Sequence, residues 1–323
     1  MCDINKEIGG YIELETNYGK EYFPNAIALN CGRNALRYIL RAKNIKKIYI
    51  PYFLCSSVSH ACEIEKVDYE YYHIDSSFRP LFNKKIADDE YLYVVNYYGQ
   101  LSDSDLEALK LKHKNLIADY AQSFFQQPIK GIDTLYSCRK YFGVADGAYL
   151  FTDIILNEKL QIDESFERMT FLMGRFERTA GEFYQEYVKN NKFFINEPIK
   201  LMSRLTQNFL KGLDYGLICK KRTDNFQFLH KHLGEINKLN LNFPEGAFMY
   251  PLYVDNGKEL RKKLIERKIF ISMLWPDVLE LCKEHEIEYL FTENILPLPC
   301  DQRYDYDDMK YIIEMIKREM RDS

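Results

Sequence analysis

Between residues 47 and 119, short apolar runs alternate with stretches of helical periodicity, and this alternation restricts the chain to one broad architecture. Lys47-Ile-Tyr-Ile50 reads as a strand ended by Pro51, and Tyr52-Phe-Leu-Cys-Ser-Ser-Val58 enters a helical segment. Residues 68–74 form a further strand. Tyr91 to Asn96 form another, which leaves through Tyr97-Tyr98-Gly99, where the glycine permits a sharp exit. Ser102 and Asp105 have the spacing of a capping box for a helix over 103–113, with Leu106, Leu109 and Leu111 facing inward. A strand over 116–119 then delivers Asp119 at its carboxyl end. Mostly apolar strands separated by helices of about ten to twelve residues make a largely parallel sheet covered on both faces. The expected fold class is therefore α/β, a three-layer α/β/α large domain, and in such sheets ligands collect at the carboxyl ends of the strands.

Beyond Thr152 the pattern changes. Residues 157–190 read as helical and charge-rich, with Phe166, Met169, Leu172 and Phe176 at helical spacing as a packing stripe, and 198–213 continue as a second helical run. From Phe243 onward the expected order is a strand over 247–254, a helix over 258–267, a strand over 269–272, the run Asn294-Ile-Leu-Pro-Leu-Pro299 and a terminal helix. That helix, Tyr306 to Met320, places Met309, Ile312, Ile313, Ile316 and Met320 on one face. A length of 323 residues suits one large domain with a smaller α+β companion, divided near residue 215 into 1–215 and 216–323.

A net charge of −4 provides no global basic surface for nucleic acid, so an anionic ligand must be met by local groups. The N-terminus shows no signal-peptide pattern, and no apolar stretch approaches eighteen residues, so the expectation is a cytoplasmic protein without a membrane span. The eight cysteines, Cys2 included, are scattered without a C-x-x-C pair, as reduced thiols are, and argue against a zinc site. His230 and His232 flank Lys231 and read as partly exposed surface rather than metal ligands. The aromatic richness, 15% and spread throughout, reads as packing.

Three stretches carry candidate chemistry. Asp133 to Thr152 sets Lys140 between two apolar strand-like segments, ahead of a glycine-bearing turn and beside Tyr141, Phe142 and Val144. A lysine beside a turn is ordinarily solvated; desolvated among such neighbours, its pKa falls towards the free amine that attacks carbonyls. Upstream, Asn115 to Phe125 delivers Asp119 and, three residues later, Gln122. An acid at a strand end followed by a lysine on the next strand-turn is what a pyridoxal phosphate enzyme needs. The lysine forms a Schiff base and the acid holds the pyridinium nitrogen protonated. Asn30-Cys31-Gly32-Arg33-Asn34 leads into a helix whose first-turn N–H groups favour an anion, and Gly32 lets it approach the main chain; Asn30 acting as a structural cap is the alternative.

Taken together, Cys31–Leu36, Ile50–Val58, Val94–Gln100, Asp119–Phe124 and Ser137–Lys140 followed by Asp146-Gly-Ala148 resemble the DegT/DnrJ/StrS aminotransferases. Asn294–Arg303 is similar to that family's small-domain segment. The resemblance implies fold type I, pyridoxal 5'-phosphate as cofactor, and transfer of an amino group from a donor such as glutamate to a keto sugar on a nucleotide. It also implies a homodimer in which two subunits build each site. It makes Lys140 the Schiff-base lysine and proton shuttle, Asp119 the partner of the pyridinium nitrogen and Gln122 the neighbour of the ring hydroxyl. Ser137 and the main-chain N–H groups of Arg33 and Asn34, beside Gly32, would hold the phosphate. Arg139 stands where the family's Ser-x-His-Lys has histidine, and the ring-stacking aromatic falls on Cys55, with Tyr52, Phe53 or Tyr97 as substitutes. A sugar dehydratase of this family would carry histidine at position 140. A non-catalytic binding or assembly protein is the further alternative, raised by a segment 150–215 that matches the family poorly.

Overall fold

The runs dense in β-branched and aromatic residues assemble into one sheet because only a position covered on both faces removes their side chains from water. The computed structural model describes residues 8–321. Eight strands, β1 (Ile27–Leu29), β2 (Lys47–Pro51), β3 (Asp68–Ile74), β4 (Pro80–Leu81), β5 (Glu90–Val95), β6 (Leu116–Asp119), β7 (Asp133–Ser137) and β8 (Ala148–Phe151), are arranged in the order β1-β8-β7-β6-β5-β2-β3-β4. The inner block β3, β2, β5, β6 and β7 is parallel. β8 pairs antiparallel with β7, as does β1 with β8 and β4 with β3. Leu92, Ile117, Ala118 and Ile48 are fully buried at its centre.

Helices α1 (Gly32–Ala42), α2 (Ser57–Glu65) and α3 (Asp103–Lys112) connect the strands and cover the sheet. The expected capping box is present: the Ser102 hydroxyl accepts from the Asp105 N–H while the Asp105 carboxylate accepts from the Ser102 N–H. Leu106 is buried, but Leu111 is 91% exposed, because five residues along a helix carry it about 140° around the axis from Leu106. Helix α2 begins at Ser57, later than the apolar run suggests, and Pro51 belongs to β2, at its end, where proline interrupts no further ladder.

The continuous helix expected over 157–190 is instead two, α4 (Thr170–Glu177) and α5 (Tyr184–Phe193). They fold back on each other because Phe183 lies against Gly174, where even a Cβ would stand 2.3 Å from the ring. The expected stripe is not a packing stripe within the chain: Met169 is buried, whereas Phe166 and Phe176 are exposed. The run over 198–213 contributes only α6 (Arg204–Lys211).

The smaller C-terminal region contains α7 (Tyr215–Leu233), α8 (Gly257–Glu266), α9 (Val278–Leu281), α10 (Ile287–Asn294), α11 (Tyr306–Arg321) and the antiparallel pair β9 (Tyr250–Tyr253) and β10 (Ile295–Leu298). Residues 269–272 do not form the expected strand: Ile269 and Ile271 are buried, but the segment pairs with no strand among the described residues. Helix α11 buries Met309, Ile312, Ile313 and Ile316 as its periodicity requires. No helix among the described residues is long and apolar enough to cross a membrane. Seven cysteines are free among the described residues, and Cys2 lies outside them.

Candidate functional site

The parallel strands β2, β5, β6 and β7 end along one edge of the sheet, and the candidate residues lie there. Asp119 closes β6 and is buried. Its Oδ2 accepts from the Tyr93 hydroxyl at 2.7 Å, and its Oδ1 accepts from the Ala121 N–H at 2.7 Å. These bonds fix the carboxylate's orientation and leave each oxygen a second lone pair for another donor. Tyr93 is on β5, the neighbouring strand, and was not singled out by sequence, since a tyrosine inside an apolar run reads as core.

Gln122 is 1% exposed. Its Oε1 accepts from the Tyr98 N–H at 2.8 Å, while its Nε2 is buried with no partner among the described residues. A buried amide donor left unpaired is costly, so an acceptor at this point would be stabilising. Tyr98 takes a positive φ of 54° within the turn that ends at Gly99, and so brings its N–H onto Gln122.

Helix α1 starts at Gly32 with Cys31, not Asn30, as N-cap. Asn30 turns inward instead, its Oδ1 accepting from the Asn34 amide at 3.0 Å, while Asn34 donates also to the Pro198 carbonyl at 2.8 Å. A Cβ on Gly32 would meet only the Ser137 Cβ, at 4.0 Å, so the glycine keeps a gap open between the helix N-terminus and the end of β7. First-turn N–H groups have no intrahelical acceptor, and this gap is where an anion would meet those of α1 and the half-buried Ser137. The side chain of Arg33 turns away, donating to the Phe194 carbonyl at 2.5 Å.

Lys140 ends the single helical turn Cys138–Lys140 that follows β7. Lys140 is not buried in the single chain: the residue is exposed and its Nζ stands 5.6 Å from the centre of the Phe248 ring. The apolar neighbours that suggested burial, Tyr141, Phe142 and Val144, are themselves buried and direct their own side chains into the core, leaving the lysine on the open side of the turn. Arg139 is held away by Asn191 of α5 and by the Phe194 ring, 4.7 Å from its guanidinium, where burial pulls its pKa down.

Cys55 is exposed and lines a small cleft with Tyr71, Asp277 and Leu281. Of its suggested substitutes, Tyr52 stacks on Tyr71 with ring centres 4.8 Å apart, and Phe53 and Tyr97 pack into an aromatic cluster with Trp275. All three rings are thus taken up by neighbours in the chain. A broad surface hollow lined by Lys47, Glu63, Lys66 and Tyr69 opens at the amino ends of β2 and β3, the edge opposite Asp119.

These residues suit pyridoxal 5'-phosphate: an oriented carboxylate with free acceptor capacity, an orphaned amide donor, a helix N-terminus kept open by glycine, and a lysine on the following turn. No sequence-family model matches the chain, and no curated protein matches it. Solved structures do. A DegT DnrJ EryC1 StrS aminotransferase from Brucella abortus, at 15% identity, covers 90% of this chain and 85% of its own with a TM-score of 0.61. NtdA from Bacillus subtilis, with bound cofactor PMP, is 14% identical over 91% of this chain and 72% of its own, TM-score 0.64. DesV from S. venezuelae, in complex with a ketimine intermediate, is 15% identical over 91% and 84%, TM-score 0.63. The chain has the fold of these aminotransferases, and the likeness first read in its segments is a likeness of whole architecture.

Proposed function

We propose that this chain is a pyridoxal 5'-phosphate-dependent aminotransferase, taking an amino group from a donor such as glutamate and delivering it to a keto sugar carried on a nucleotide. The observation that carries the reading is the buried, unpartnered Nε2 of Gln122 beside the oriented carboxylate of Asp119. Gln122 would donate to the ring hydroxyl, Asp119 would accept from the ring nitrogen, and Gly32, Arg33, Asn34 and Ser137 would hold the phosphate. When bound, the cofactor supplies an electron sink for the carbon that carries the amino group. Lys140 Nζ would hold the cofactor covalently and, as a free amine, would carry a proton at that atom. Tyr93 and the Ala121 N–H keep Asp119 aimed.

Residues 1–215 would form the cofactor domain and 216–323 the smaller one. A second copy of the chain would cover the open side of Lys140. The exposed Ile155, Phe166, Phe176 and Tyr184, all within one stretch of thirty residues, support such a homodimer, since a partner would remove these apolar side chains from water. The same residues favour a second reading, a non-catalytic binding or assembly protein. Lysine at position 140 argues against a dehydratase.

Reconstitution with pyridoxal 5'-phosphate separates these readings. The aminotransferase reading expects a yellow protein whose visible band is absent in Lys140→Ala and bleaches with an amino donor. Asp119→Ala should still attach the cofactor but lose most turnover. A protein that stays colourless overturns the enzyme reading and leaves the binding one.

A further inference from the structure

Arg222, on α7, is 2% exposed, and no carboxylate lies within ion-pair distance of it among the described residues. Its guanidinium is engaged with neutral groups. Nε donates to Gln302 Oε1 at 2.7 Å, Nη1 to the carbonyls of Ala247 at 2.9 Å and Phe248 at 3.2 Å, and Nη2 to the Tyr141 carbonyl at 3.0 Å. The Tyr141 ring lies 4.5 Å from the same guanidinium. Gln302 completes the arrangement, its Nε2 donating to that same Tyr141 carbonyl at 2.8 Å.

The nearest carboxylate to act on it is Asp301, which is paired directly with Arg303 and reaches Arg222 only from beyond contact distance. A buried cation with no carboxylate in contact is expensive, and an apolar side chain would tie a helix to its neighbours at less cost. What a forked donor does that an apolar side chain cannot is hold several carbonyls in fixed relation. The carbonyls held here bracket Lys140. Tyr141 is the next residue in the chain, and its N–H closes the turn on Cys138 at 3.0 Å. Phe248 supplies the ring over which the Lys140 ammonium stands. One guanidinium and one amide, both from the C-terminal region, thus fix the peptide that follows the lysine and the backbone of the residue whose ring faces it.

We infer that Arg222 and Gln302 are positioning residues for Lys140, clamping the Tyr141 carbonyl so that the lysine amine is presented towards the Asp119 edge of the sheet. The inference rests on the cofactor reading above. It also makes the C-terminal region part of what sets the lysine, so a shift of α7 relative to the sheet is transmitted to that side chain.

The test uses the full chain and three variants, Gln302→Met, Gln302→Glu and Arg222→Met. Each is incubated with pyridoxal 5'-phosphate and quenched with borohydride, and attachment at Lys140 is timed by peptide mass spectrometry, with surface lysines as internal controls. Thermal melting is followed in parallel. Gln302→Glu returns an acceptor to Arg222 but no donor to Tyr141, so both Gln302 variants should attach on the order of 10–100-fold more slowly at Lys140 alone. Gln302→Glu should melt close to the wild type. Wild-type rates in both Gln302 variants overturn the clamp, whether or not Arg222→Met folds. Slowing confined to Gln302→Met also overturns it, because the missing donor would then be immaterial. Absence of attachment to Lys140 in the wild type overturns the cofactor reading and the clamp with it.

Discussion

The turn from Tyr120 to Phe125 and the segment from Ile154 to Ile195 are both rich in apolar and aromatic side chains, and the fold treats them in opposite ways. Phe124 is completely buried, with Phe23, Tyr141 and Phe142 packed around it at ring separations of 5.4, 5.4 and 4.8 Å. Phe176 is 94% exposed and Ile155 is 83% exposed. The turn hangs between β6 and β7, whose parallel pairing carries it over the sheet. The later segment lies past the antiparallel strand β8 and meets the fold around the β1 edge through isolated contacts: the Leu156 N–H donates to the Tyr38 hydroxyl at 2.7 Å, the Asn190 amide donates to the Ala145 carbonyl at 2.9 Å, and Ile162 bridges to Leu201, which itself bridges to Leu29 of β1. Apolar content therefore supplies a capacity for burial, and the position of the flanking strands decides where it is used. The buried turn follows Asp119, carries Gln122 and is packed within one chain; the exposed segment is what the proposed second copy would cover.

This contrast can be broken at several points. Phe124→Ala should cost about 3–5 kcal/mol of unfolding free energy, measured by urea denaturation, because it empties a packed aromatic site. A loss under about 1 kcal/mol would mean that the turn is not the packed half of the comparison. Tyr93→Phe should cost about 1–3 kcal/mol, since it strips the buried Asp119 Oδ2 of a donor, and should weaken uptake of pyridoxal 5'-phosphate in a fluorescence titration. Equal affinity in this variant would detach Asp119 from the cofactor. Phe176→Ser should change the stability of the dilute protein by no more than about 0.5 kcal/mol while weakening self-association in sedimentation runs. If it destabilised the dilute chain as much as Phe124→Ala, the segment would be core and the contrast would fall.

Much of the sheet was legible because its signals are local. The runs over 47–50, 68–74, 91–96 and 116–119 became β2, β3, β5 and β6, and the Ser102–Asp105 spacing became a capping box. Asp119 could be placed at a strand end for the same reason. Helix α7 was missed although Ile218, Phe226, Leu229 and Leu233 carry a helical stripe, because the arginine at 222 interrupts it in sequence while lying on the buried face. The exposed side of Lys140 was missed because the adjoining apolar residues point elsewhere. Tyr93 reaches Asp119 across 26 residues of chain, Arg222 reaches Tyr141 across 81 and Gln302 across 161, separations over which no periodicity carries information.

By itself the sequence determined the parallel strands β2, β3, β5 and β6, the helix α3 and the terminal helix α11, and that an acid, an amide and a lysine stand near strand ends, because backbone geometry repeats every two or 3.6 residues and turns need particular side chains. Only the tertiary structure decided that β2 lies between β3 and β5, that the Gln122 Nε2 is left without a partner, that Lys140 stands on the open side of its turn, and that a buried arginine from the C-terminal region grips the next carbonyl. Those outcomes depend on strand order and on side chains far apart in the chain. The interactions responsible become favourable only once the intervening chain has been ordered.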